Sequence, residues 1–379
     1  KPYYKFLGTS TGISAVNVVT GGGGHVGPYS GGWQANAMKN RLLETLPDTL
    51  HVSPEEPAIC AAELNNHLDR ADKIQENEIN QQGKDIKRNN YFDLAMLADL
   101  EQGWSVPEKT RIATKKAIEN GVNVLHIEDQ GVKKRCGHLG DKELAIFDDY
   151  VVILRSANLA AQELLGSSQA DNQWVRFVAR TDALSAKRIM FSDKLRDVNH
   201  IDHKFVDWDR GYSPDGKYLY IKQGINSETG NKWGLDMSIA RGTEVIRLGI
   251  ASHLWMETPD ADLAVAKKYM ESVNKNLEKY GLKARGLYNH SPSFDWDVKF
   301  YAEAKILTDK FLNLYNNNTD LTELSITLST FLNEHGNKIV GDDLFTQDSI
   351  KLFSMNIVEY FKDHETRNQY VDTIKEITS

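Results

Sequence analysis

The 379-residue chain carries 45 Lys and Arg against 53 Asp and Glu, a formal net charge of −8 and a pI near 5.8, which argues against nucleic acid or an anionic membrane surface as a bulk partner. A hydrophobic content of 40% with 26% charged residues is that of an ordinary globular protein, long enough for two average domains or one large barrel. Two cysteines, Cys60 and Cys136, are too few for a disulfide framework, and no apolar run reaches the length of a membrane span.

The start, Lys1-Pro2-Tyr3-Tyr4, has no signal-peptide pattern and the end, Ile377-Thr378-Ser379, is no peroxisomal address, so the expectation is a soluble cytoplasmic protein. The first 35 residues are glycine-rich, with a run at Gly21–Gly24 and then His25-Val26-Gly27-Pro28-Tyr29-Ser30-Gly31-Gly32-Trp33. This segment lacks the lysine and hydroxyl of a P-loop and the spacing of a dinucleotide fingerprint, and reads as a tight turn offering backbone amides to a small anion. Residues 35–90 read as polar and helical, with a helix from Pro57 to Ile74 and an Asn/Gln/Lys-rich loop from Asn77 to Asn90.

From residue 91 the pattern becomes regular. Phe92–Ala98 is an apolar run ending in Asp99 and Glu101, and Ser105-Val106-Pro107-Glu108 reads as a capping box opening a helix that stops near Gly121. Val122–Ile127 ends in Glu128-Asp129, and an amphipathic helix spans Asp148–Leu165. Trp174–Ala179 ends in Arg180-Thr181-Asp182, and His253–Met256 ends in Glu257 before a helix from about Pro259 to Tyr280. Gly286–Tyr288 leads to Asn289-His290-Ser291-Pro292-Ser293, and Leu324–Ile326 leads to Thr327. Six apolar runs ending in polar groups, most followed by helical pattern, are buried parallel strands alternating with helices. The segment near residue 26 and Leu50-His51-Val52 supply two more. Function-bearing residues at many strand ends predict a TIM-like (β/α)8 barrel with additional helices rather than a doubly wound sheet, whose site sits at one switch point. The expected division is a barrel over 1–335 and a helical segment over 336–379.

Asp99, Glu101, Glu128 and Asp129 then lie at neighbouring strand ends, with Asp48 as a fifth carboxylate. So many acids at one mouth call for a cation, and all-oxygen donors favour Mg²⁺, or Mn²⁺ in its place, over zinc. Arg180 with Asn289, Ser291, Ser293 and Thr327 offers a cation and neutral donors for gripping carboxylates. Between these sets runs Lys133-Lys134-Arg135-Cys136-Gly137-His138-Leu139-Gly140. Its cations favour the thiolate of Cys136, Gly137 allows close backbone approach, and His138 can orient the thiol or relay its proton. A metal, an acidic thiol and carboxylate grips suit a carbon–carbon lyase acting on a polycarboxylic acid.

Lys134-Arg135-Cys136-Gly137-His138-Leu139 resembles the signature of the isocitrate lyases, in the superfamily that includes 2-methylisocitrate lyases and phosphoenolpyruvate mutases. Further blocks resemble the family in its order: Ala98–Gly103, Glu128-Asp129-Gln130, Ala179–Ala183, Trp255–Thr258, Asn289–Trp296 and Ile326-Thr327-Leu328. The resemblance implies a TIM-like barrel, in a homotetramer, that uses Mg²⁺ to split isocitrate into glyoxylate and succinate. By it, Asp99 is the direct metal ligand, Asp48, Glu101 and Glu128 hold metal-bound water, and Cys136 is the catalytic acid, with His138 and Arg180 beside it. Substrate contacts fall to Tyr29, Gly31, Gly32, Trp33, Gly137, Arg180, Glu257, Asn289, Ser291, Ser293 and Thr327. Gly31 stands where the family carries serine, His290 where it carries cysteine or leucine, and Asp295 where it carries asparagine. No family-like region follows Thr330, and the polar insert Ser213–Gly234 has no assigned role. Two alternatives stay open: a 2-methylisocitrate lyase, and a catalytically silent relative that binds a dicarboxylate or serves in assembly.

Overall fold

The computed structural model describes residues 3–8, 27–32, 35–36, 52–82, 95–135, 141–166, 175–258 and 263–290. Seven of its strands run parallel and close into a barrel. In chain order they are β1 (Tyr3–Gly8), β2 (Gly27–Ser30), β3 (Leu97–Asp99), β4 (Val124–Glu128), then, after the short β5 (Lys142–Leu144), β6 (Arg176–Thr181). After β7 (Ala186–Met190) and β8 (Tyr218–Tyr220) come β9 (His253–Met256) and β10 (Arg285–His290). The ring order is β1-β10-β9-β6-β4-β3-β2. The β/α barrel class is as expected from the sequence, and among the described residues the ring closes with seven strands. The expected run Leu324–Ile326 and the boundary at 335/336 lie outside them.

Two expectations about strands need correction. Of the expected run Leu50-His51-Val52, Val52 sits at a bend leading into a helix and the other two lie outside the described residues, and a strand not expected from the sequence is Tyr3–Gly8. Its mixed letters, Tyr-Tyr-Lys-Phe-Leu-Gly, give no clean apolar run. The other departure is a second, three-stranded sheet in the order β5-β7-β8, with β7 and β8 antiparallel. Tyr218–Tyr220 lies inside the polar insert, which therefore builds the edge of this sheet.

The helices are α1 (Glu56–Gln82), α2 (Pro107–Glu119), α3 (Phe147–Leu165), α4 (Trp233–Arg247) and α5 (Leu263–Leu277). Helix α1 runs past Ile74 through part of the expected loop, and α4 was not signalled. The capping box at Ser105 does not form: Ser105 is left-handed at φ 53° and Val106 is the cap, with no side-chain hydrogen bond. Pro107 still opens the helix, where its missing N–H costs nothing. At the far end, a 3₁₀ turn over Glu278–Tyr280 follows α5 and stops at Gly281, left-handed at φ 66°.

Strand alternation sorts the side chains. Met96, Ala98, Leu125, Ile127, Phe177, Ala179 and Leu254 join the helices in the main hydrophobic core, while Tyr29, Leu97, Val124 and Val178 pack inside the barrel. The same alternation sends Asp99, His126, Glu128 and Arg180 inward, in the layers above them.

Candidate active site at the barrel mouth

Register brings the polar strand ends together. Asp99 on β3 is opposite His126 on β4, Glu128 on β4 is opposite Arg180 on β6, and Arg180 is opposite Trp255 on β9. Tyr29, His126 and Trp255 form an aromatic floor, with His126 and Trp255 ring centroids 4.8 Å apart and Tyr29 edge-on to both.

Asp99 is buried and held from several sides. Its Oδ2 accepts from Tyr29 Oη at 2.7 Å and from the Gly32 amide at 2.9 Å, and its Oδ1 from the Glu101 amide at 2.7 Å. His126 Nδ1 lies 3.1 Å from the same Oδ1. Burial works to raise the Asp99 pKa, but the His126 ring, the Lys134 ammonium and Arg180 outweigh it and hold the carboxyl well below the usual range. Glu101 stands in the left-handed region at φ 54°, one of three such non-glycine residues between 101 and 105. Side chains disfavour that conformation, so the surrounding contacts fix it there. Asn36 Nδ2 reaches Glu101 Oε1 at 3.2 Å.

Lys134 is buried rather than solvated. Its side chain is 1% exposed and its ammonium contacts Glu101, with Glu128 Oε1 at 3.8 Å. Gln130 fixes the same loop, accepting from the Arg135 amide at 2.9 Å and donating to the Arg135 carbonyl at 2.8 Å. Of the three basic residues, Lys133 and Arg135 remain exposed.

Arg180 is committed on two nitrogens. Nε and Nη2 donate to Asp182 at 3.0 and 3.1 Å, Nη2 lies 3.3 Å from Glu257 and Nε 3.5 Å from Glu128. Its Cζ sits 5.3 Å from the Trp255 ring centroid. Burial would lower the guanidinium pKa, yet Asp182, Glu257 and Glu128 push it well above its ordinary value. Nη1 has no hydrogen-bond acceptor among the described residues, so it is the nitrogen left to meet a ligand carboxylate. Asp182 also takes Lys142 Nζ at 2.6 Å, and against the effect of burial the two cations hold it well below the carboxylate range.

Asp129 does not join the mouth. Consecutive strand residues face opposite sides, so Glu128 faces in and Asp129 faces the helices. There it accepts from Thr181 Oγ1 at 2.7 Å, the Asp182 amide at 2.9 Å and Arg241 Nη1 at 2.7 Å. Burial pushes its pKa up, with Arg241 opposing. Period-two alternation alone would have separated the two acids.

Among the described residues, no three histidine, cysteine or acidic side chains form a ready coordination shell. The charge balance nevertheless fits a hard divalent cation. Around the mouth, among the described residues, five buried carboxyl groups, Asp99, Glu101, Glu128, Asp182 and Glu257, face three buried cations, Lys134, Lys142 and Arg180. A surplus of buried negative charge is costly unless neutralised, and oxygen donors are what Mg²⁺ takes. Asp48, Trp33, Cys136, Gly137, His138, Ser291, Ser293 and Thr327 lie outside the described residues. Asn289 is placed on β10 by its backbone, opposite Phe6 of β1, and Gly31 precedes the Gly32 amide that holds Asp99.

Residues 27–208 match the model of the isocitrate lyase family. The chain is 32% identical over 303 residues to isocitrate lyase of Corynebacterium glutamicum, covering 79% of this chain and 61% of that protein. The chain is similar to the isocitrate lyase family. It is also 32% identical over 292 residues to isocitrate lyase 1 of Mycobacterium tuberculosis, covering 76% of this chain and 59% of that one. To the bifunctional glyoxylate cycle protein of Caenorhabditis elegans it is 31% identical over 300 residues, covering 78% and 27%. It thus spans about three fifths of the single-function relatives. A solved 2,3-dimethylmalate lyase aligns at TM-score 0.46 and 16% identity, covering 83% of this chain and 80% of that one. An oxaloacetate acetylhydrolase aligns at 0.48 and 17%, covering 91% and 95%. No helix among the described residues is long and apolar enough to cross a membrane.

Proposed function

We propose that the mouth of the barrel is the active site of a carbon–carbon lyase that cleaves isocitrate to glyoxylate and succinate. The observation that carries this reading is the buried acid cluster of Asp99, Glu101 and Glu128 set directly against Arg180 on adjacent strand ends. That pairing suits a substrate with several carboxylates and one hydroxyl. Asp99, with Glu101, Glu128 and Asp48, would hold Mg²⁺. Bound there, the cation supplies Lewis-acid polarisation of the substrate's hydroxyl and carboxylate oxygens.

The chain's own residues do the rest. A base takes the hydroxyl proton, the carbonyl of glyoxylate forms, and the carbon–carbon bond breaks with its electron pair passing to the carbon beside the succinate carboxylate. Arg180 Nη1, with Asn289, Ser291, Ser293 and Thr327, stabilises the charge that spreads onto that carboxylate. Cys136 then donates its proton to the carbanion, leaving a thiolate that regains a proton after release. A thiol suits the step because its pKa lies near working pH. Tyr29 keeps Asp99 oriented through its 2.7 Å hydrogen bond.

The test is glyoxylate formation by purified protein with Mg²⁺, compared for isocitrate and 2-methylisocitrate. Isocitrate is expected to be the better substrate. Faster turnover of the methylated acid would move the reading to a 2-methylisocitrate lyase, and no turnover of either by folded protein would favour the silent relative.

A further inference from the structure

We propose that Arg241, on α4 behind the barrel wall, is a positioning residue that sets the direction of the Arg180 guanidinium through Asp129 and Asp182. The inference rests on the reading that Arg180 receives a substrate carboxylate.

An arginine inside an apolar helix face needs a reason. Arg241 is 1% exposed, among the largest buried side chains, and shares its face of α4 with Met237 and Val245, one turn to either side. Four of its five N–H groups are spent on specific acceptors. Nε and Nη2 grip Asp202 at 2.9 Å each, Nη2 also donates to the Ala145 carbonyl at 2.8 Å, and Nη1 donates to Asp129 at 2.7 Å. Asp202 in turn accepts the amide of Phe147, the first residue of α3, at 2.9 Å. One guanidinium therefore ties α3, α4, the end of β4 and the segment bearing Asp202 to one point.

The path from there to the mouth is continuous. With one oxygen on Arg241, Asp129 has its other oxygen on the Asp182 amide, so it fixes the backbone turn that leaves β6. The Asp182 carboxylate then carries Nε and Nη2 of Arg180 and the ammonium of Lys142. The plane of Arg180 follows that carboxylate, and with it the direction in which Nη1 is offered. A lysine at 241 would keep the charge but lose the fork, reaching one of the two acids and not both. Full removal would leave Asp129 and Asp202 buried without their cation.

The test uses Arg241→Lys, with Asp129→Asn as a second variant should the first fail to fold. In ¹⁵N-arginine-labelled full-length protein, the Arg180 Nε–H resonance is assigned by its loss in Arg180→Lys. Arg241→Lys is expected to shift it and to speed its solvent exchange about tenfold or more while the fold persists. In kinetics, Arg241→Lys should raise KM for isocitrate about tenfold with a smaller change in kcat, and that effect should vanish in the Arg180→Lys background. An unmoved Arg180 resonance in folded Arg241→Lys or Asp129→Asn, or strictly additive effects of the two arginine substitutions, would overturn the proposal. Wild-type protein that turns over nothing would sink the lyase reading alone, and the resonance would still decide the positioning.

Discussion

His253, at the start of β9 in the base of the barrel, gives the fold a pH dependence with a known sign. Its pKa is pushed down to about 4 by burial, reinforced by Arg176 and Arg285 on the flanking strands. Its Nδ1 lies 2.8 Å from Ser252 Oγ. An unfolded histidine titrates near 6.5, so between about 6.5 and 4 the unfolded chain binds a proton that the folded one refuses. Stability must fall as the pH drops through that window. Above it both states are neutral at this site, and below it both are charged, so nothing further is lost. At 1.36 kcal/mol per pKa unit the full effect is about 3 kcal/mol. Urea unfolding of wild type and His253→Gln, compared at about pH 7.5 and about pH 4.5, isolates the site, because all other titrations cancel in the difference. The wild type should lose about 2–3 kcal/mol more than the variant over that interval. Equal pH slopes would refute the assignment of a neutral, buried imidazole.

Other outcomes follow from single contacts. A Cβ on Gly27 would stand 1.7 Å from the Ala95 carbonyl oxygen, so Gly27→Ala should push β2 off β3 and cost about 1–3 kcal/mol in urea unfolding. The Tyr269 hydroxyl is buried with no hydrogen-bond partner among the described residues, so Tyr269→Phe should be neutral or stabilise by about 1 kcal/mol in the same assay. Asp99→Asn removes the charge that His126 and Lys134 surround, and should abolish glyoxylate formation while thermal unfolding shows a folded protein. Excess EDTA should silence the wild type reversibly, and full activity in chelator would remove the metal from the account.

The barrel was legible because buried parallel strands write long apolar runs, and Leu97–Asp99, Val124–Glu128, Arg176–Thr181 and His253–Met256 all do so. The short second sheet was not. Lys142 and Glu143 look solvated in sequence, and Lys142 is buried only because Asp182, forty residues on, neutralises it. Arg241 was hidden in the same way, its two acids lying 39 and 112 residues distant along the chain. At the site, Asp99, Glu101, Glu128 and Arg180 were found by their placement at strand ends, and the structure puts them together. Asp129 shares its strand end with Glu128, but the alternation of a strand turns it outward to Arg241. Composition shows Lys134 only as one of three cations before a cysteine, and the acids that meet its charge stand on other strand ends.

The most direct test of the lyase account is cleavage of isocitrate in D₂O with Mg²⁺, analysed by mass spectrometry, for wild type and Cys136→Ser. The account predicts equal amounts of glyoxylate and succinate, one deuterium per succinate at a methylene carbon, and a loss of about a hundredfold or more in Cys136→Ser. Near wild-type turnover by Cys136→Ser would mean that another residue protonates the carbanion, and folded wild-type protein that forms no labelled succinate would contradict the account as a whole.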